Sequence, residues 1–283
     1  VSNQQRSRAG TRAVPGREAI PLGDGTVLAR AADRILAEWI KIGSVRATYG
    51  VTLVGLVTSA GFGAWSCASL ASDWGRYPAA RAHADRLSSV FDGLVLAQLV
   101  FASIGVLAIT SEYSSGLIRT TFTASPGRRV TLLAKAAALT TFTLLAGAVT
   151  TAVTYVLGQL LLAHQHIQLS VTDPTTARAV FASVVYLIAV ATLGLGLGAV
   201  LRHAAAAVST LFAVLFLLPQ LLRGTSGLLL AIDNALPGTA LRRLMSDRPW
   251  AGAPSTREAW LVIVAFPLVS LVAAMVVIGR RDA

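Results

Sequence analysis

The run LGLGLGAV sets Gly194, Gly196 and Gly198 in a pattern that superficially matches a phosphate-binding glycine loop. A dinucleotide site needs a strand before such glycines and an acidic residue about 20 positions further on. Here an apolar run surrounds them, so Gly194 and Gly198, four apart on one helical face, read as a place where two helices approach closely. His164 and His166 in AHQH offer two nitrogens, but no cysteine and no third histidine lie nearby, so no metal site is expected. No histidine falls inside an apolar run and no serine sits in a nucleophile elbow, which leaves an intramembrane hydrolase without a base. The chain has no G-x-x-x-x-G-K-[ST], hence no Walker loop with which to bind ATP itself. An ion-coupled carrier places an ionisable residue at mid-membrane, whereas Asp92 and Glu112 stand at the two edges of one apolar run. The centres of the runs offer only Gln98, Tyr155, Gln159, Gln220, threonines and serines. Those four are candidates to line a path for a lipophilic or amphipathic cargo, and equally to bond helices together. The chain is not expected to be an enzyme by itself.

The elements that must position these residues are helices in a bilayer. Of 283 residues, 54% are hydrophobic and 13% charged, against about 25% charged in a soluble domain. The expected fold is all-α and polytopic, with six runs near the roughly 20 residues that cross about 30 Å of hydrocarbon. They are Tyr49–Leu70, Phe91–Ile109, Ala136–Leu161, Val180–Leu201, Ala205–Leu222 and Ala259–Ile278. Lys135 is expected to snorkel at the foot of the third. Caps mark three helix starts: Ser125-Pro126, Asp173-Pro174, and the capping box from Ser255 to Glu258. Only Arg202-His203 separates the fourth and fifth runs, a tight turn between antiparallel helices. Residues 1–27 are arginine-rich and polar, contain no cleavable signal peptide, and are expected to be a disordered tail. Residues 28–283 form the membrane domain, led by an amphipathic helix with Ile35, Leu36, Trp39, Ile40 and Gly43 on one face. Arg34, Glu38, Lys41 and Arg46 line its other face, so it should lie in the interface with Trp39 at headgroup depth. The loop Arg223–Arg257 should hold short helices at the other surface, with Trp250 and Trp260 as anchors. A lone Cys67 excludes an intramolecular disulfide.

A net charge of +11 would suggest nucleic acid in a soluble protein, but here the basic residues flank apolar runs and no aromatic residues interleave them. With the N-terminus inside, fifteen Lys and Arg fall on the inner side and nine on the outer. The positive-inside rule then puts both termini in the cytoplasm, together with the polar stretch Ser111–Arg129, SEYSSGLIRTTFTASPGRR. Within it Leu117, Ile118, Thr121 and Phe122 recur at helical spacing with Arg119 opposite, which predicts a short helix across the membrane face.

These residues carry a resemblance. From about Arg34 to the C-terminus, the chain resembles the permease subunits of type-2 ATP-binding-cassette exporters of high-GC bacteria. The match rests on Glu38-Trp39-x-Lys41-x-x-Ser44-x-Arg46-x-Thr48 and, more specifically, on Ser111-Glu112-Tyr113-x-x-Gly116-x-Ile118-Arg119-Thr120-Thr121. Pro126, Ala134-Lys135, the glycine-rich fourth run and the terminal Arg280-Arg281-Asp282-Ala283 follow in order. The resemblance implies a bacterial plasma-membrane protein that pairs with a second permease subunit, as a homo- or heterodimer. ATP and Mg would be bound by a separate cytoplasmic ATPase, not by this chain. Ala31–Ser44, carrying Glu38, Trp39, Lys41 and Ser44 ahead of Arg46, would be the interfacial elbow helix. Ser111–Arg129 would be the coupling helix docked on the ATPase, with Tyr113, Leu117, Ile118 and Phe122 in contact. Glu112 and Arg119 would fix its register, beside Gly116, Thr120 and Thr121. Two other classes remain in view: a membrane-embedded scaffold or immunity protein, and an ion-coupled carrier, which the missing mid-span carboxylate disfavours.

Overall fold

The computed structural model describes residues 27–76, 84–114 and 128–280, and all regular structure among them is helical. The expected tail therefore falls almost wholly outside the described residues, as do Ser125-Pro126 and the residues from Arg281 onward. The elements are α1 (Val27–Ser44), α2 (Arg46–Arg76), α3 (Arg86–Phe91), α4 (Leu94–Ser114), α5 (Arg128–Ala163) and α6 (Pro174–Leu201). There follow α7 (Ala204–Phe212), a π-helical turn (Ala213–Leu217), α8 (Leu218–Leu222), α9 (Leu228–Asn234), α10 (Pro237–Met245) and α11 (Thr256–Arg280). Six stretches are long and apolar enough to cross a bilayer: Arg46–Trp74, Leu94–Ser114, Arg129–Ala163, Pro174–Leu201, Ala204–Leu222 and Thr256–Arg280. Each overlaps one of the six expected runs.

The core forms where α4 and α6 lie against each other, with Leu94, Phe101, Val106, Tyr186, Leu187 and Leu195 fully buried. Close approach is possible because glycines face backbone there. A Cβ on Gly105 would collide with the Ala191 carbonyl, and one on Gly194 with the Ala102 carbonyl. Gly198 lies one turn on, where a Cβ would come within 2.7 Å of Ile109. By contrast α2 and α11 expose Leu53, Val57, Trp65, Leu261, Leu268 and Val269, the outward apolar surface that a lipid solvent accepts. Hydroxyls within the spans are hidden from lipid by donating to the carbonyl one turn back, as Thr52, Ser103, Thr143, Ser183 and Thr192 do.

Helix ends follow local chemistry. Glu258 and Ser255 satisfy each other's backbone N–H groups in a complete capping box, at 2.7 and 3.2 Å. Asp173 stands at the N-cap position of α6 with Pro174 first in the helix, and its carboxylate accepts from the Thr175 hydroxyl. Arg202 ends that helix in the left-handed region (φ 55°), its N–H donating to the Gly198 carbonyl, and His203 Nδ1 then accepts from Ala206 N to start α7.

Three features depart from the sequence reading. The second run is broken at Asp92-Gly93: α3 ends at Phe91 and the spanning helix starts at Leu94. A Cβ on Gly93 would collide with the Ser59 carbonyl, and Ser66 Oγ donates to Asp92 Oδ2 at 2.7 Å, so the break is packed onto α2. The fifth run is not one regular helix but turns π-helical, for a reason given below. And Glu38, on the polar face of α1, turns inward and is buried, while Leu36 and Ile40 on the apolar face are exposed like the outward residues of α2 and α11. Trp39 meets the ring of Phe142 edge-on at 6.4 Å, so it packs on the third span.

Candidate functional site

The burial of Glu38 has an electrostatic cause. Lys135, about two turns into α5, is buried, and a buried ammonium must be paired. Its Nζ donates to Glu38 Oε2 at 2.5 Å and to Glu112 Oε1 at 2.8 Å. Lys41, one turn after Glu38, bridges the same carboxylates, at 2.7 Å to Glu38 Oε1 and 3.3 Å to Glu112 Oε1. Among the described residues, two ammoniums and two carboxylates thus form a ring joining α1, the end of α4 and the start of α5. Three members are nearly inaccessible; Lys41, at 49% side-chain exposure, is the open corner. Burial on its own would push the Glu38 carboxyl upward, but the charges and hydrogen bonds of Lys135 and Lys41 outweigh it and hold Glu38 below its ordinary value. Burial likewise opposes the charge on Lys41, and its bonds to Glu38 and Glu112 raise it above its ordinary value instead. Glu38 and Lys41 are therefore held in their charged forms at neutral pH.

Other contacts gather at this end of the bundle. Arg202, in the turn between α6 and α7, lies over the Tyr113 ring at 5.3 Å to its centroid. Arg129 reaches the last turn of α11, where a Cβ on Gly279 would fall 2.9 Å from its Nη2. Ser44 closes α1 by donating to the Lys41 carbonyl at 2.9 Å, and Arg46 stands exposed at the start of α2. So Glu38, Lys41, Glu112 and Tyr113 meet at one end of the molecule, and Glu112, at the start of the polar stretch, is bonded to Lys135, six residues beyond its end. Gly116, Leu117, Ile118, Arg119, Thr120, Thr121 and Phe122 lie outside the described residues. Lys135 does not snorkel but forms the centre of the ring. The sequence carries part of the signal, two acidic residues and two lysines at the feet of three helices, but which of them meet depends on how the helices pack.

Beside the ring opens a cleft of about 520 Å³ between α1, α2, α4 and α5. Lys41, Ser44, Glu112 and Lys135 mark its polar end, and Val51, Ile104, Leu107 and Leu139 form its apolar walls.

The four candidate path residues do separate things. Gln98 Nε2 donates to the Leu215 carbonyl at 3.2 Å, and the buried Tyr186 hydroxyl donates to Gln98 Oε1. Pro219 has no N–H for the Leu215 carbonyl four residues before it, so Gln98 supplies a donor where the π-helical turn forms. Tyr155 donates to the Leu169 carbonyl at 2.6 Å, and Gln159 Oε1 accepts from Leu169 N at 2.8 Å, pinning the connection after α5. Gln98 and Gln220 also border a second cavity of about 120 Å³ with Asp92, Arg223 and Arg242. That end is braced by Arg178, which donates to the Leu244 and Ser246 carbonyls at the end of α10. Trp250 lies beneath the Arg242 guanidinium at 5.0 Å, and Trp260 packs on Phe181. Among the described residues no three of His, Cys, Asp and Glu gather where they could hold a metal ion. No protein-family model and no curated protein matches the chain.

Proposed function

We propose that the chain is the permease subunit of an ATP-driven exporter of the type-2 ATP-binding-cassette kind, forming the passage and borrowing its motor from a separate cytoplasmic ATPase. The observation that carries the reading is the ion ring. Segment 115–127, which holds the most specific part of the resemblance, falls in sequence between α4, which carries Glu112, and α5, which carries Lys135. A push on that segment is received by both feet at once and passed to α1 through Glu38. A charged joint holds geometry where an apolar contact would slide, which suits a lever driven by nucleotide-dependent closure of the motor. The positive-inside distribution supports a cytoplasmic position for it. A second permease subunit, identical or not, would complete the path.

The test is coupling. Reconstituted with its ATPase, the wild-type chain should stimulate ATP hydrolysis, and Gly116→Glu or Ile118→Glu should return it to the unstimulated rate while the variants still fold. Unchanged stimulation would overturn the coupling role of the segment. Cargo movement without any nucleotide-hydrolysing companion would overturn the exporter reading. Stable co-purification of a partner with neither transport nor coupled hydrolysis would point to the scaffold.

A further inference from the structure

We propose that the cleft between α1, α2, α4 and α5 is a binding site for one phospholipid with an anionic headgroup, drawn from the leaflet beside α1. Its volume, about 520 Å³, falls among the roughly 300–1,000 Å³ of small-molecule sites. Its walls change character along one axis. From Glu112 back to Ile104 is eight residues of α4, about 12 Å of helix, and over that length the lining passes from charged to wholly apolar. An apolar recess at membrane depth does not hold water, because water finds no polar partners there. Its natural filling is an acyl chain. The polar end selects the headgroup. Lys41 is half exposed, and an ammonium has three donors, two of which go to Glu38 and Glu112. The remaining donor capacity stands at the mouth, where a headgroup phosphate would sit. The carboxylate and ammonium deeper in are matched to each other, so they neither repel nor replace that contact.

This site is independent of the exporter reading and is tested without nucleotide or ATPase. The full-length chain is held in bilayers of equal parts phosphatidylglycerol and phosphatidylcholine, released into mild detergent, and its retained lipid is read by native mass spectrometry. One lipid per chain is expected, with phosphatidylglycerol favoured about fivefold, the preference one interfacial lysine gives. Ala47 is exposed and lines the cleft, so Ala47→Trp fills the site without disturbing the core and should lower retained lipid at least fivefold. Leu145→Trp, on the exposed face of α5 away from the cleft, should not. Lys41→Gln should keep the lipid and lose the headgroup preference. Wild-type retention in Ala47→Trp, or equal retention of both lipids by the unaltered chain, would overturn the proposal. So would a dimer that only Ala47→Trp abolishes, since a second copy would then occupy the cleft.

Discussion

At the scale of single residues, the two lysines of the ring make opposite demands on their partners. Lys135 is enclosed, so its removal takes the buried cation away from Glu38 and Glu112 in a medium that solvates charge poorly. Breaking a buried pair from one side costs about 3–5 kcal/mol, whereas an exposed pair contributes about 0–1 kcal/mol. Lys135→Met should therefore destabilise the protein by about 3–5 kcal/mol and Lys41→Met by under about 1 kcal/mol, although each lysine touches the same two carboxylates. Adding Glu38→Met to Lys135→Met should cost less than the sum, because the second change removes a buried charge whose enclosed partner the first has already removed. Denaturant unfolding in detergent micelles measures all three. Equal losses for the two lysines would show that burial does not set the energetics of the ring. The same reasoning explains why Lys135 was misplaced from sequence: a lysine at the foot of an apolar run has water within reach of its stem, and only the placement of Glu38 and Glu112 decides that it turns inward.

Among the elements, the broken fifth span is the one whose shape a single residue dictates. Pro219 removes the donor that an α-helix would direct at the Leu215 carbonyl, and in a bilayer an unpaired carbonyl has no water to turn to. Gln98, from α4, supplies the donor, and Tyr186, from α6, donates to the other end of the same amide. A polar side chain that looked available to a passing cargo thus serves to hold three spans together. Gln98→Leu should cost about 1–3 kcal/mol, the range for stranding a buried polar group. Pro219→Ala restores a backbone N–H, so in its background the cost of Gln98→Leu should shrink to what the Tyr186 hydroxyl loses. Unfolding midpoints, with amide exchange across 213–222, report both. If Pro219→Ala leaves that cost unchanged, the proline is not the origin of the π-helical turn. The proline was legible in the sequence and its consequence was not, because the compensating donor lies 117 residues away on another helix.

For the molecule as a whole, what the sequence disclosed and what it withheld divide along a physical line. Six spans, the Arg202-His203 turn, the Ser255 capping box and the role of Gly194 depend on apolar length and on residues within a turn of one another, so composition and spacing reveal them. The inward face of α1, the Asp92-Gly93 break and the ring depend on which helices meet, and an amphipathic pattern cannot say whether its polar face seeks water or a buried lysine. The expected orientation rests on counts of Lys and Arg that no tertiary contact alters, and labelling from outside the cell is its test. The bundle puts Ser114 and the turn at Arg202 on the α1 end, and the connection after α5 on the opposite end. Cys67 is fully buried, so a membrane-impermeant maleimide will report only on an introduced thiol. In intact cells a cysteine at the exposed Ser170 should be labelled, and one at the exposed Ser114 should be labelled only after the membrane is permeabilised. The reverse pattern would place the ion ring and the polar stretch outside the cell, beyond the reach of any cytoplasmic ATPase. Because the fifteen-to-nine excess draws on both ends of the chain as well as its loops, removing the four arginines before Glu18 should leave the pattern in place.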